Sequence, residues 1–214
     1  MKLVGLTGGI GSGKSTVSSL LAERRAEIVD ADAITRELQE PGRSVLARLI
    51  CRFGAQIVGD DGRLDRQALA GIAFTDPAKL KDLNRIVHPA VGVEMNARVE
   101  AAVGTSRVLI LDVPLLAENP RDGLTGTIVV DTPIDVAVQR LVTFRGFSED
   151  DARSRIGRQA SREDRLKIAT WVVDNSGDRD ALIPQVDRVW AAIGALAETS
   201  DDDLQRYRTP VRKR

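Results

Sequence analysis

A chain of 214 residues with 43% apolar side chains is long enough for one well-buried core and requires no second independent domain. Its 31 basic and 31 acidic residues cancel, so no overall field draws it to nucleic acid or a membrane, and any anion site has to be local. One cysteine and one histidine exclude an intrachain disulfide and a multi-histidine metal site, and argue against a Ser-His-Asp hydrolase.

No apolar run approaches the ~18 residues of a membrane span, and no charged-then-apolar leader opens the chain. A cytoplasmic protein with small-molecule substrates is expected, without a nucleic-acid, membrane or obligatory protein partner. Cys51 is expected as a buried core thiol.

From the N-terminus, Leu3 to Leu6 form a short apolar run that predicts a buried strand, and Val17, Leu20 and Leu21 recur at helical spacing. Between them Gly8, Gly13, Lys14 and Ser15 fill the fixed positions of the G-x-x-x-x-G-K-[ST] phosphate-binding loop. Such a loop must turn its backbone N–H groups inward, which Gly8, Gly9, Gly11 and Gly13 allow. The following helix aims its N-terminal N–H groups and dipole at a phosphate. Lys14 adds a point charge, and the Ser15 hydroxyl stands where Mg²⁺ is ligated.

Ala26 to Asp30 predicts a second strand running into Asp30-Ala31-Asp32. Alternation places Asp30 and Asp32 on one side if the strand continues, at the edge where open α/β sheets bind ligands. Asp32 can equally cap a helix over 33–38. From Pro41 to Val103 no strong strand is expected. Leu46, Leu49, Ile50 and Phe53 predict a helix stopped by Gly54, Asp65 a helix cap, and Asp76-Pro77 a further helix start. Pro89 is expected to hold His88 at a bend, to contact an acceptor or to close the helix end on backbone.

Arg107 to Pro114 is a third strand, ending in Asp112, which serves either as a Mg²⁺-linked carboxylate or as a polar strand end. Gly126 to Asp131 and Trp171 to Asn175 are two more, with a helix opening at Thr132-Pro133 between them. Strands alternating with helices predict an α/β fold with a parallel sheet. Ser148 caps a helix, and Arg155, Arg158 and Arg162 are spaced to share one helical face that could close over a polyphosphate. The end, 201–214, lacks an apolar stripe and is expected to be disordered.

These pieces together resemble bacterial dephospho-coenzyme A kinases. The resemblance runs from Gly5 to about Ala197 and is carried by Gly5 to Thr16, Asp30-Ala31-Asp32, Leu83 to Pro89, Asp112 to Glu118 and Val173 to Gly177. It implies a P-loop NTPase-type, doubly wound, five-stranded parallel sheet. The kinase domain would occupy 1–200, with core segments 1–35, 105–140 and 168–197, a helical acceptor-binding insertion at 36–104 and a helical lid at 143–166.

The implied reaction moves the ATP γ-phosphoryl group to the ribose 3′-hydroxyl of dephospho-CoA, with Mg²⁺. Asp32, Lys14 and Arg140 are the implied catalytic residues. ATP is implied to contact Gly9, Gly11, Ser12, Gly13, Lys14, Ser15, Thr16, Arg140, Asn175 and Gly177, and the acceptor Asp32, Arg36, His88 and Leu115. The family usually has phenylalanine where Ala117 stands and aspartate where Thr170 stands. Rivals are another small-molecule or nucleoside monophosphate kinase, a GTP switch, disfavoured because no Asn-Lys-x-Asp occurs, and a non-catalytic nucleotide-binding regulator.

Overall fold

The computed structural model describes residues 1–209, which fall into two compact units: 1–29 together with the chain from 102 onward, and 30–101. The strands are β1 (Lys2–Gly8), β2 (Glu27–Asp30), β3 (Val108–Asp112), β4 (Gly126–Asp131) and β5 (Trp171–Asp174). The helices, in chain order, are α1 (Lys14–Glu23), α2 (Ala31–Leu38), α3 (Ser44–Phe53), α4 (Arg66–Ala73), α5 (Pro77–Glu100), α6 (Ile134–Arg145), α7 (Glu149–Gly157), α8 (Arg162–Lys167), α9 (Arg179–Ala195) and α10 (Asp201–Arg208). None of them is long and apolar enough to cross a membrane.

The strands form one parallel sheet in the order β2-β3-β1-β4-β5. Leu6 of β1 lies opposite Asp112 on one side and Ile128 on the other. β1 and β4 are buried along nearly their whole length, as expected of continuous apolar runs in a sheet covered on both faces. On one face Val17, Leu20 and Leu21 of α1 and Leu182, Val186 and Ile193 of α9 pack against strand residues such as Leu6, Ile110 and Val130. Because the strands run in parallel, the turns after β1, β3, β4 and β5 emerge at one edge, where such sheets place their ligands.

The unit 30–101 is helical apart from a single-residue bridge between Val58 and Leu64. Asp65 and Asp76 cap α4 and α5 through their carboxylates, as the sequence predicts. Three readings change. Asp30, not Asp32, is the cap of α2, its carboxylate accepting from the N–H groups of Asp32 and Ala33; the strand therefore stops before alternation can reach Asp32. Helix α5 runs unbroken through Pro89, because Val87, Val91, Met95 and Val99, buried at four-residue steps, outweigh one missing N–H. Cys51 is exposed, since Leu46, Leu49 and Phe53 define the buried face of α3 and Cys51 lies opposite. His88 is likewise exposed.

Two further corrections concern the other unit. Arg155 and Arg162 do not share a helix: α7 ends at Gly157 and Ser161 caps a new one, accepting from the Asp164 N–H. Residues 201–208, expected within a disordered tail, form α10, capped by Ser200, with Leu204 and Tyr207 buried. Acidic residues fill its first turn and basic ones its last, as the helix dipole favours. Residues 210–214 lie outside the described chain.

Candidate active site

The turn after β1 is a bare backbone cradle. Gly13 is the N-cap of α1 in the left-handed conformation, at φ 79°, and no side chain caps the helix. The N–H groups of Lys14 and Ser15 are thus left to a ligand, while that of Thr16 donates to Gly13 O at 2.9 Å, and the helix dipole makes that ligand an anion. A Cβ on Gly13 would sit 2.1 Å from Asn175 Nδ2, so glycine is required there by both φ and space.

The second half of the loop is held from outside through one carbonyl. Ser12 O accepts from Asn175 Nδ2 at 2.7 Å and from Thr132 Oγ1 at 3.2 Å. Both donors sit on the turns that follow β5 and β4, and Asn175 and Thr132 are buried. Asn175 N–H also donates to Asp131 O at 2.8 Å. Asn175, an implied ATP contact, thus ties the phosphate loop to the end of β4.

Lys14 Nζ forms an ion pair with Asp112 at the end of β3, and Asp112 is only 2% exposed. Ser15, one residue on, is exposed. Arg140 of α6 donates from Nη2 to Gly177 O at 3.2 Å, while its buried Nη1 has no hydrogen-bond partner. That Nη1 comes within 3.8 Å of the Cβ position at Gly13, so a buried cationic donor stands beside the phosphate loop with a bond left to make. Asp131, at the end of β4, takes a two-pronged contact from Arg162, at 2.8 and 2.6 Å. This pair was not foreseen from the sequence. The Arg162 guanidinium beside Asp131 holds its carboxyl below the usual value. Thr170 accepts from Thr127 N–H at 3.0 Å through its hydroxyl and so secures the start of β4.

The unit 30–101 carries a separate cleft of about 310 Å³. Asp32, Arg36, Arg66, Phe74 and Asn84 are among the residues that line it. It thus brings together two of the four expected acceptor contacts, Asp32 and Arg36. His88 is not among its lining residues, and Leu115 belongs to the other unit, 43% exposed on the turn after β3.

A glycine loop between a central parallel strand and an uncapped helix, with Lys14 and Arg140 beside it, defines a P-loop nucleotide-binding protein. Residues 2–180 match the family model described as dephospho-CoA kinase. Dephospho-CoA kinases from Thermobifida fusca and Streptomyces avermitilis are 47% and 48% identical, over 89% of this chain and 95% and 93% of theirs. A crystal structure of a Thermus thermophilus protein has TM-score 0.76 at 35% identity, covering 89% of this chain and 97% of that one. Dephospho-CoA kinase from Campylobacter jejuni, TM-score 0.66 at 19% identity over 89% and 96%, shares the fold. The chain belongs to the dephospho-CoA kinase family.

Proposed function

We propose that the two units supply the donor and acceptor ends of one reaction, the transfer of the ATP γ-phosphoryl group to the ribose 3′-hydroxyl of dephospho-CoA. The enzyme phosphorylates dephospho-CoA with ATP in coenzyme A biosynthesis. On the donor side, the N–H groups of Gly11, Gly13, Lys14 and Ser15 cradle the phosphates, with Ser12 and Thr16 beside them and Gly9 at the turn. Lys14 exchanges its contact with Asp112 for the β- and γ-phosphates, and Arg140 brings its unpartnered Nη1 to the transferring group. Asn175 and Gly177 hold these two elements from behind. The observation that carries the donor reading is the uncapped, glycine-started helix with the buried, unpaired Arg140 Nη1 beside it.

Phosphoryl transfer passes through a loose transition state, so positioning and charge stabilisation do most of the work. A carboxylate is a weak base for a sugar hydroxyl. Asp32 therefore orients the 3′-oxygen and receives its proton late, as the new O–P bond forms and the bond to the ADP oxygen breaks. Arg36 binds an anionic part of the acceptor; His88 and Leu115 are proposed at its periphery.

Among the described residues no group of three or more histidine, cysteine or acidic side chains could hold a metal. Mg²⁺ keeps most of its waters and binds through phosphates and one or two protein oxygens. Ser15, exposed at the first turn of α1, supplies one such oxygen and Asp112 the nearby carboxylate. When bound, the ion neutralises charge on the β- and γ-phosphates. The segment 143–166 is proposed to cover the nucleotide. The cytoplasm, where these substrates meet, is the proposed compartment, with no protein partner required for turnover.

Asp32→Asn tests the acceptor side. It keeps ATP binding and loses turnover by about 100-fold or more, the size of a general acid–base contribution; near-normal turnover would remove Asp32 from this role.

A further inference from the structure

The phosphate loop has a second anchor, on its first half. Gln159 Oε1 accepts from the Ile10 N–H at 2.8 Å. The backbone around Gln159 is itself fixed: Ala160 N–H donates to Glu118 Oε1 at 2.7 Å, and Arg162 forks onto Asp131 at 2.8 and 2.6 Å. Arg165 donates to Ala160 O at 2.5 Å and lays its Nη2 within 2.9 Å of the Cβ position at Gly9. The stretch 159–165 is therefore fastened to the turns after β1 and β3 and to the last residue of β4. The preceding helix is tied differently: Arg155 pairs with Asp151 of α7 itself, Arg153 with Glu149 and with Asp135 of α6, and Ala152 and Ile156 pack with Val138 and Leu141 of α6 and with Ile10.

A loop built from glycines loses much backbone freedom when it is ordered, and a ligand that must order its own site binds less tightly. Ser12 O, held by Asn175 and Thr132, orders the half next to α1. For Gly9 and Ile10 the corresponding backbone hydrogen bond from outside the loop comes from Gln159, with Arg165 laid over Gly9, while the Ile10 side chain packs against Val138, Leu141 and Ala152.

We propose that Gln159 is a positioning residue for ATP: its side-chain oxygen, by holding the Ile10 N–H, sets the first half of the phosphate loop before the nucleotide arrives. Within the segment 143–166 proposed to cover the nucleotide, 159–165 then belongs to the fixed floor of the site. This rests on the ATP site proposed above.

The test uses the full chain, a non-hydrolysable ATP analogue followed by calorimetry, and hydrogen exchange at the Ile10 amide. Gln159→Met keeps the length of the side chain and removes its amide oxygen, whereas Gln159→Glu keeps an acceptor. Gln159→Met should speed Ile10 exchange and weaken the analogue about three- to tenfold, the worth of one hydrogen bond. KM for dephospho-CoA should stay within about twofold, and Gln159→Glu should restore Ile10 protection, though not full affinity, because its carboxylate repels the nearby phosphates. Wild-type affinity in Gln159→Met, equal weakening of both substrates, or no recovery of Ile10 protection in Gln159→Glu would each overturn the proposal. A wild-type protein that does not bind the analogue would overturn the ATP site and this inference with it, whereas normal wild-type binding with an indifferent Gln159→Met would remove the inference alone.

Discussion

Asn175 and Ser12 are 163 residues apart in the chain, yet Asn175 Nδ2 donates to Ser12 O at 2.7 Å, and both residues are buried. The last strand thus fixes the loop that follows the first. Asn175→Ala removes a donor to a buried carbonyl, which costs about 1–2 kcal/mol, or about 2–8 °C in Tm for a chain of this size. ATP affinity should fall with Tm, because the loop is then ordered at the ligand's expense. Thermal melts and nucleotide titration check both, and a variant that melts early but binds ATP normally would contradict the anchoring role.

The Asp131 and Arg162 pair makes a pH-dependent contribution. The bonds from Arg162 hold the Asp131 carboxyl below its ordinary 3.8. A carboxyl whose pKa is lowered by folding adds stability that is fully present above the unfolded value and is lost as pH falls through the lowered one. Arg162 is exposed, so Arg162→Gln is expected to lower Tm only modestly near neutrality. In melts at a series of pH values, the gap in Tm between wild type and Arg162→Gln should hold above about pH 5 and close below pH 3.8. A gap unchanged down to pH 3 would show that the pair does not contribute through its charge.

Gly123 sets the seat of α10. Its φ is +78°, and a Cβ there would fall 2.0 Å from Asp203 O and 2.7 Å from Tyr207 N. Gly123→Ala must therefore strain its own backbone or push α10 away and expose Leu204 and Tyr207. The expected cost is about 2 kcal/mol or more, with ATP binding retained. Limited proteolysis should then cut within 196–209 far faster than in wild type; equal protection would mean that α10 does not depend on this contact.

The strands and most helices could be read from local pattern. The apolar runs at Leu3, Val108 and Ile128 and the caps Asp65, Asp76 and Ser148 each announce their element within a few residues. Where reading failed, two local rules competed. Asp30 and Asp32 both suit a strand end and a cap, and only the folded chain shows Asp30 taking the cap. Pro89 argues for a bend, but the stripe from Val87 to Val99 lies beyond its reach in a local window. Ser161-x-x-Asp164 was a visible helix start that the arginine spacing obscured, and α10 hides its two apolar residues among charges. The site divides the same way. Gly8 to Ser15 is contiguous and legible, whereas Gln159 meets Ile10, and Asn175 meets Ser12, across 149 and 163 residues, distances over which one sequence carries no periodic signal.

Acceptor-dependent ADP release measures the transfer itself. With Mg-ATP and the full chain, dephospho-CoA should support turnover far above the rates with AMP, CMP, adenosine or shikimate, and the product should be CoA carrying the new phosphate on the ribose 3′-oxygen. A clearly better rate with AMP, or ADP release that ignores dephospho-CoA, would contradict it.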